Sequence, residues 1–67
     1  MTEFLEGETY RNKETNQHIM ILAIAEETDD HIYVAFWEID PETMESTSAD
    51  EMAIQKSDYD KWEVVNV

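Results

Sequence analysis

Cysteine is absent from all 67 residues, and glycine and proline occur once each, as Gly7 and Pro41. The missing thiol excludes a disulfide framework and any thiolate metal site, and it fits a cytoplasmic protein. With nothing to staple it, the thin core of so short a chain must come from side-chain packing alone. Basic residues are almost as scarce. Arg11, Lys13, Lys56 and Lys61 stand against seventeen Asp and Glu, for a formal net charge of −13, and no Lys or Arg lies between Lys13 and Lys56. Phosphate contacts need Lys and Arg, so neither direct nucleic-acid binding nor an anionic membrane surface is expected as a partner. No apolar run approaches the ~20 residues that span a bilayer. The stretch from Ile19 to Ala25 is too short, and no positively charged segment precedes it as in a signal peptide.

Acidic chains with few aromatics are usually unfolded. This one carries Phe4, Tyr10, Tyr33, Phe36, Trp37, Tyr59 and Trp62 together with six Ile, enough material for a core. A single domain over residues 1–67 is expected, with residues 1–6 as a disordered tail.

Two runs dominate the pattern, His18 to Glu26 and His31 to Ile39, both rich in β-branched or aromatic residues. The polar connector Glu27-Thr-Asp-Asp30 has hairpin length. A turn centred on Thr28 and Asp29 sets Glu26 against His31, Ile24 against Tyr33, Leu22 against Ala35, Met20 against Trp37 and His18 against Ile39. The opposite face then carries Ile19, Ile21, Ala23, Ala25, Ile32, Val34, Phe36 and Glu38. Both faces are largely apolar, whereas a strand buried on one side alternates apolar and polar. The pattern therefore implies a closed barrel, or one face kept for a partner.

The flanks supply shorter elements. Gly7 to Asn12 is a candidate strand, and Lys13 to Gln17 a turn with Asn16 in the left-handed region. Asp40-Pro-Glu-Thr43 suits a β-turn with proline in second position. Thr43 to Asp50 reads as an exposed loop and Glu51 to Gln55 as a weak strand. Ser57 with Asp60 matches a helical N-cap, and Val64-Val65 closes the sheet. The expected fold is mainly β, a small five-stranded SH3-like (or OB-like) barrel with one short helical turn near the C-terminus.

The segments Gly7-Glu-Thr-Tyr-Arg-Asn-Lys13 and Ile21-Leu-Ala-Ile-Ala-Glu-Glu-Thr28, followed by a strand with a tyrosine, resemble a family of small uncharacterised bacterial and phage domains. Those domains open on G-x-Y-R-H-x-K and end on an aromatic-rich tail, which Tyr59 and Trp62 mimic. Asn12 stands where the family has His, Phe36-Trp-Glu38 stands where it places Tyr-Arg, and the loop from Thr43 differs. The resemblance implies a compact SH3-like fold and a mobile-element origin, and carries over no catalytic residue.

Chemistry is sparse. His18 and His31 fall at opposite ends of the hairpin and cannot share a zinc ion. The acids Asp29, Asp30, Asp40, Glu42 and Glu45 lack the spacing and central glycine of a calcium loop. No nucleophile–base pair and no phosphate-cradling glycine loop is present. No enzyme, cofactor or metal is therefore expected.

The charge points instead to a protein partner with a basic surface. Asp29, Asp30, Glu38, Asp40, Glu42 and Glu45 are the candidate contacts. With the chain extended at Pro41, Glu38, Asp40 and Glu42 would present carboxylates about 6.6 Å apart, like a row of phosphates. That reading is a non-catalytic acidic interaction domain, such as a phage-derived inhibitor or nucleic-acid mimic. The alternative is a structural or assembly module, or a homodimer, that works through an apolar face built on Met20, Tyr33 and Trp37.

Overall fold

In the computed structural model, which describes residues 3–65, five antiparallel strands form one sheet. They are β1 (Thr9–Asn12), β2 (His18–Glu27), β3 (His31–Ile39), β4 (Ser46–Gln55) and β5 (Trp62–Val64), with a 3-10 turn at Lys56–Lys61 between β4 and β5. The order across the sheet is β4-β3-β2-β1-β5. Sequential hairpins build the first four strands, and β5 returns to pair with β1, Tyr10 opposite Val64 and Asn12 opposite Trp62. β4 and β5 are the two edges, so the sheet is open and does not close into the expected barrel.

One face of the sheet is covered. Ile19 and Ile21 of β2, Ile32, Val34 and Phe36 of β3, and Ile54 of β4 form the core with Tyr10, Phe4, Tyr59 and Trp62, while Ile24 and Met52 pack against it. The cover comes from the two ends of the chain. Phe4 packs at a tilt on Tyr10, 4.6 Å between ring centres, and meets Tyr59 edge-on at 5.0 Å and Trp62 at 5.8 Å. The Tyr10 hydroxyl accepts from the Leu5 N–H at 2.8 Å and donates to the Glu3 carbonyl at 3.0 Å. The stretch read as a tail thus contributes, among its described residues, a ring that is 4% exposed. Residues 1 and 2 of that stretch lie outside the described residues.

The β2–β3 register follows the expected pairing at its open end and departs from it toward the turn. His18 opposes Ile39 and Met20 opposes Trp37, but Ala23 opposes Ala35, Ile24 opposes Val34 and Glu26 opposes Tyr33. The turn is centred on Asp29 and Asp30, one residue later than expected. There Thr28 Oγ1 accepts from the N–H groups of Asp30 and His31, at 3.2 and 3.1 Å. Moving the turn adds two residues to β2, and β2 absorbs them in irregularities between Ile21 and Ala23 and between Ile24 and Glu26. The first shift transfers Ile24 to the core side and Ala23 to the other face.

β4 also differs from expectation. The stretch from Ser46 to Asp50, read as loop, is strand and pairs with β3 along its whole length. Its residues are exposed, so no apolar alternation marked it, and backbone hydrogen bonds hold it. Asn16 adopts the left-handed conformation, φ 65°, as expected. The helical turn begins at Lys56, and Gln55, without a side-chain cap, replaces Ser57 at the N-cap.

Candidate functional site

The carboxylates singled out from sequence do not gather. Asp29 and Asp30 sit at the β2–β3 turn, while Asp40, Glu42 and Glu45 sit at the β3–β4 turn. The nine residues of β3 lie between them, a separation of roughly 30 Å. Nor is the chain extended at Pro41. It turns there, with the Met44 N–H donating to the Asp40 carbonyl at 2.7 Å. The Asp40 carboxylate accepts the Glu42 N–H at 2.8 Å, and Glu38 accepts from the Gln17 side-chain amide at 3.0 Å. The expected row of evenly spaced carboxylates is therefore replaced by a folded turn.

The three apolar residues do share a face, the one opposite the core. Met20 and Trp37 are direct cross-strand partners, and Tyr33 lies on the same side of β3. Register places Ala49 opposite Trp37, Glu51 opposite Ala35 and Ala53 opposite Tyr33. At one end of this face Met20 and Trp37 are half-buried, beside His18 and Ile39, which are buried outside the main core cluster. At the other end Leu22 and Tyr33 remain 42% and 37% exposed. Between them lies a shallow cavity of about 420 Å3 lined by Leu22, Tyr33, Ala35, Ala49, Asp50 and Glu51.

The polar side of this cavity is acidic. The Tyr33 hydroxyl donates to Glu51 Oε2 at 3.2 Å. That bond, then the negative charge of Glu51, raise the phenol above its ordinary ionisation range, and Asp50 adds a smaller push in the same direction. Asp50 Oδ1 accepts the Glu51 N–H at 2.8 Å. Glu26 opposes Tyr33 from β2, so the ring has a carboxylate residue on each neighbouring strand.

Sequence reasoning missed Leu22, Ala49 and Glu51 as parts of one site. A signal existed in the spacing Ala49-x-Glu51-x-Ala53. Small residues at alternate positions complement a strand with large ones, and here Ala49 and Ala53 face Trp37 and Tyr33.

No family model, curated protein or solved structure matches the chain.

Elsewhere, among the described residues, three of the four basic side chains are held in ion pairs. Arg11 pairs with Glu63 at 2.6 Å, Lys56 with Glu27 at 2.8 Å and Lys61 with Asp58 at 3.3 Å. A second cavity, of about 310 Å3, lies among Glu3, Phe4, Ile24, Glu27, Lys56 and Tyr59 at the edge of the core. Among the described residues, no cluster of three or more His, Asp or Glu side chains is placed to hold a metal, and no helix is long and apolar enough to cross a membrane.

Proposed function

We propose that the chain is a non-catalytic, cytoplasmic acidic interaction domain that binds the basic surface of a protein partner. Its contact centre is the uncovered sheet face around Met20, Leu22, Tyr33 and Trp37, with Glu26 and Glu51 at its acidic border. The observation that carries this reading is the joining of exposed apolar side chains and carboxylates on one face, at Tyr33 and Glu51. An apolar centre bordered by charge is how interfaces combine affinity with steering. The strand order, with a 3-10 turn between β4 and the returning β5, supports an SH3-like assignment. The resemblance to small bacterial and phage domains supports a mobile-element origin, in which the domain acts as an inhibitor. It would work through its overall negative field and this face, since its carboxylates do not line up as a phosphate row.

The alternative is an assembly module or homodimer that uses the apolar face alone. The exposure of Leu22 and Tyr33 favours it. Salt separates the two. The test is affinity capture with the purified chain at low salt and at about 1 M salt, where the screening length is about 3 Å, with light scattering on the chain itself. A basic partner held only at low salt, and lost on Glu51→Lys, supports the acidic interaction domain. Salt-resistant capture, or a stable dimer that captures nothing, supports the apolar module.

A further inference from the structure

We infer that the cavity bounded by Leu22, Tyr33 and Glu51 is a socket for an arginine side chain presented by the partner, an inference that rests on the interaction-domain reading above. Four features of the cavity point to this ligand.

The floor is made of methyl groups, Ala35 and Ala49, which leave room for a side chain lying flat on the sheet. The exposed Leu22 offers an apolar wall for an aliphatic stem, which long cationic side chains cover while their charged ends stay polar. The Tyr33 ring offers a π face, and guanidinium stacks on such faces better than a compact ammonium does. Finally, Tyr33 fixes the Glu51 carboxylate by donating to Oε2, and Oε1 remains to accept. Glu51 is a substituent of the exposed edge strand β4, so a planar donor can approach it from solvent. Asp50 lies alongside and adds a second negative charge.

Competing occupants fit less well. An anion meets a repulsive field. A second copy of this chain would have to supply its single arginine, and Arg11 is already bonded to Glu63 at 2.6 Å and to Asn16 at 2.7 Å. A lysine satisfies the charge at Oε1 but gains little from the ring, because its compact ammonium is more strongly hydrated and does not stack as a planar guanidinium does.

The test uses the full chain, labelled with 15N, and two peptides of equal length in low salt, one with four arginines and one with four lysines in the same Gly-Ser background. The arginine peptide is expected to bind about fivefold more tightly and to shift the resonances of Leu22, Tyr33, Ala35 and Ala49. Tyr33→Leu should abolish the preference, Tyr33→Phe should keep it because the ring remains, and Glu51→Gln should weaken the arginine peptide more than the lysine one. Tyr33 and Glu51 are exposed, and the spectrum of each variant reports whether it is folded. Equal affinity for the two peptides, with shifts spread over the acidic surface, would overturn the socket and leave the acidic interaction domain standing. Binding of neither peptide would overturn both.

Discussion

The backbone N–H of Ile24 donates to the Glu6 carboxylate at 2.9 Å. Ile24 is the residue that the first irregularity in β2 delivers to the core side, and β1 reaches no farther along β2 than Met20. Beyond that point the opening segment supplies the partners. Gly7 donates to the Ile21 carbonyl at 2.7 Å, from a left-handed conformation of φ 87° that favours glycine, and Glu6 accepts from Ile24. Glu6→Ala is expected to cost about 1 kcal/mol of stability, and Glu6→Gln less. Urea titration checks both, and hydrogen exchange at the Ile24 amide should speed up in the alanine variant alone.

Phe4 touches Tyr10, Tyr59 and Trp62. Truncation to Ala should cost roughly 3–5 kcal/mol, against a total of roughly 3–10 kcal/mol for a domain of this size. Phe4→Ala is therefore expected to be largely unfolded at 37 °C or to melt at a much lower temperature, whereas Leu5→Ala, whose side chain is exposed, should melt close to the parent. Thermal circular dichroism distinguishes them.

The two tryptophans occupy opposite faces. Trp62 is 5% exposed in the core and Trp37 is half-buried on the other face. Acrylamide should quench the fluorescence of a Trp62→Phe variant, which reports Trp37, more strongly than that of a Trp37→Phe variant. Equal quenching would contradict the assignment of faces.

Alkali should unfold the chain. Burial is the main cause raising Tyr10 and Tyr59 above the ordinary phenol range, while the hydrogen bond to Glu51 is the main cause for Tyr33. A folded-state value above the unfolded one means that the unfolded chain releases its proton first. The associated stability is whole below about pH 10 and is lost as pH climbs through the folded values. Lys56 and Lys61, raised chiefly by hydrogen bonds to Glu27 and Asp58, act in the same direction. Absorbance titration of tyrosinate should show delayed ionisation followed by cooperative unfolding, and Glu51→Gln should return one tyrosine toward the ordinary range.

Much of the fold could be read where apolar periodicity was strong. β3 has the expected bounds, and Ile19, Ile21, Ile32, Val34 and Phe36 lie on one face as the alternation required. The failures have local causes. The Thr28 hydroxyl accepts the N–H groups that close the turn and so sets its position, a side-chain contact that composition does not reveal, and the displaced turn moved Ile24 across the sheet. The first half of β4 buries nothing, so its strand character was invisible to a hydrophobic pattern. Of the candidate site, the alignment of Met20, Tyr33 and Trp37 was legible because period two fixes faces within a strand. Glu51 was not, because its role depends on which residue of β4 stands beside Ala35.

The cover of the core also sets an order on the growing chain. The meander of β1 to β4 is complete at Gln55, yet Tyr59 and Trp62, which seal its apolar face with Phe4, follow it in sequence. Ile19, Ile21, Ile32, Val34 and Phe36 therefore lack these covering rings until Tyr59 and Trp62 have been added. A bare strand face of that kind invites pairing with a neighbour on the same messenger. The eleven acidic residues between Lys13 and Lys56, with no opposing Lys or Arg in that interval, give each nascent chain a mutual repulsion until then.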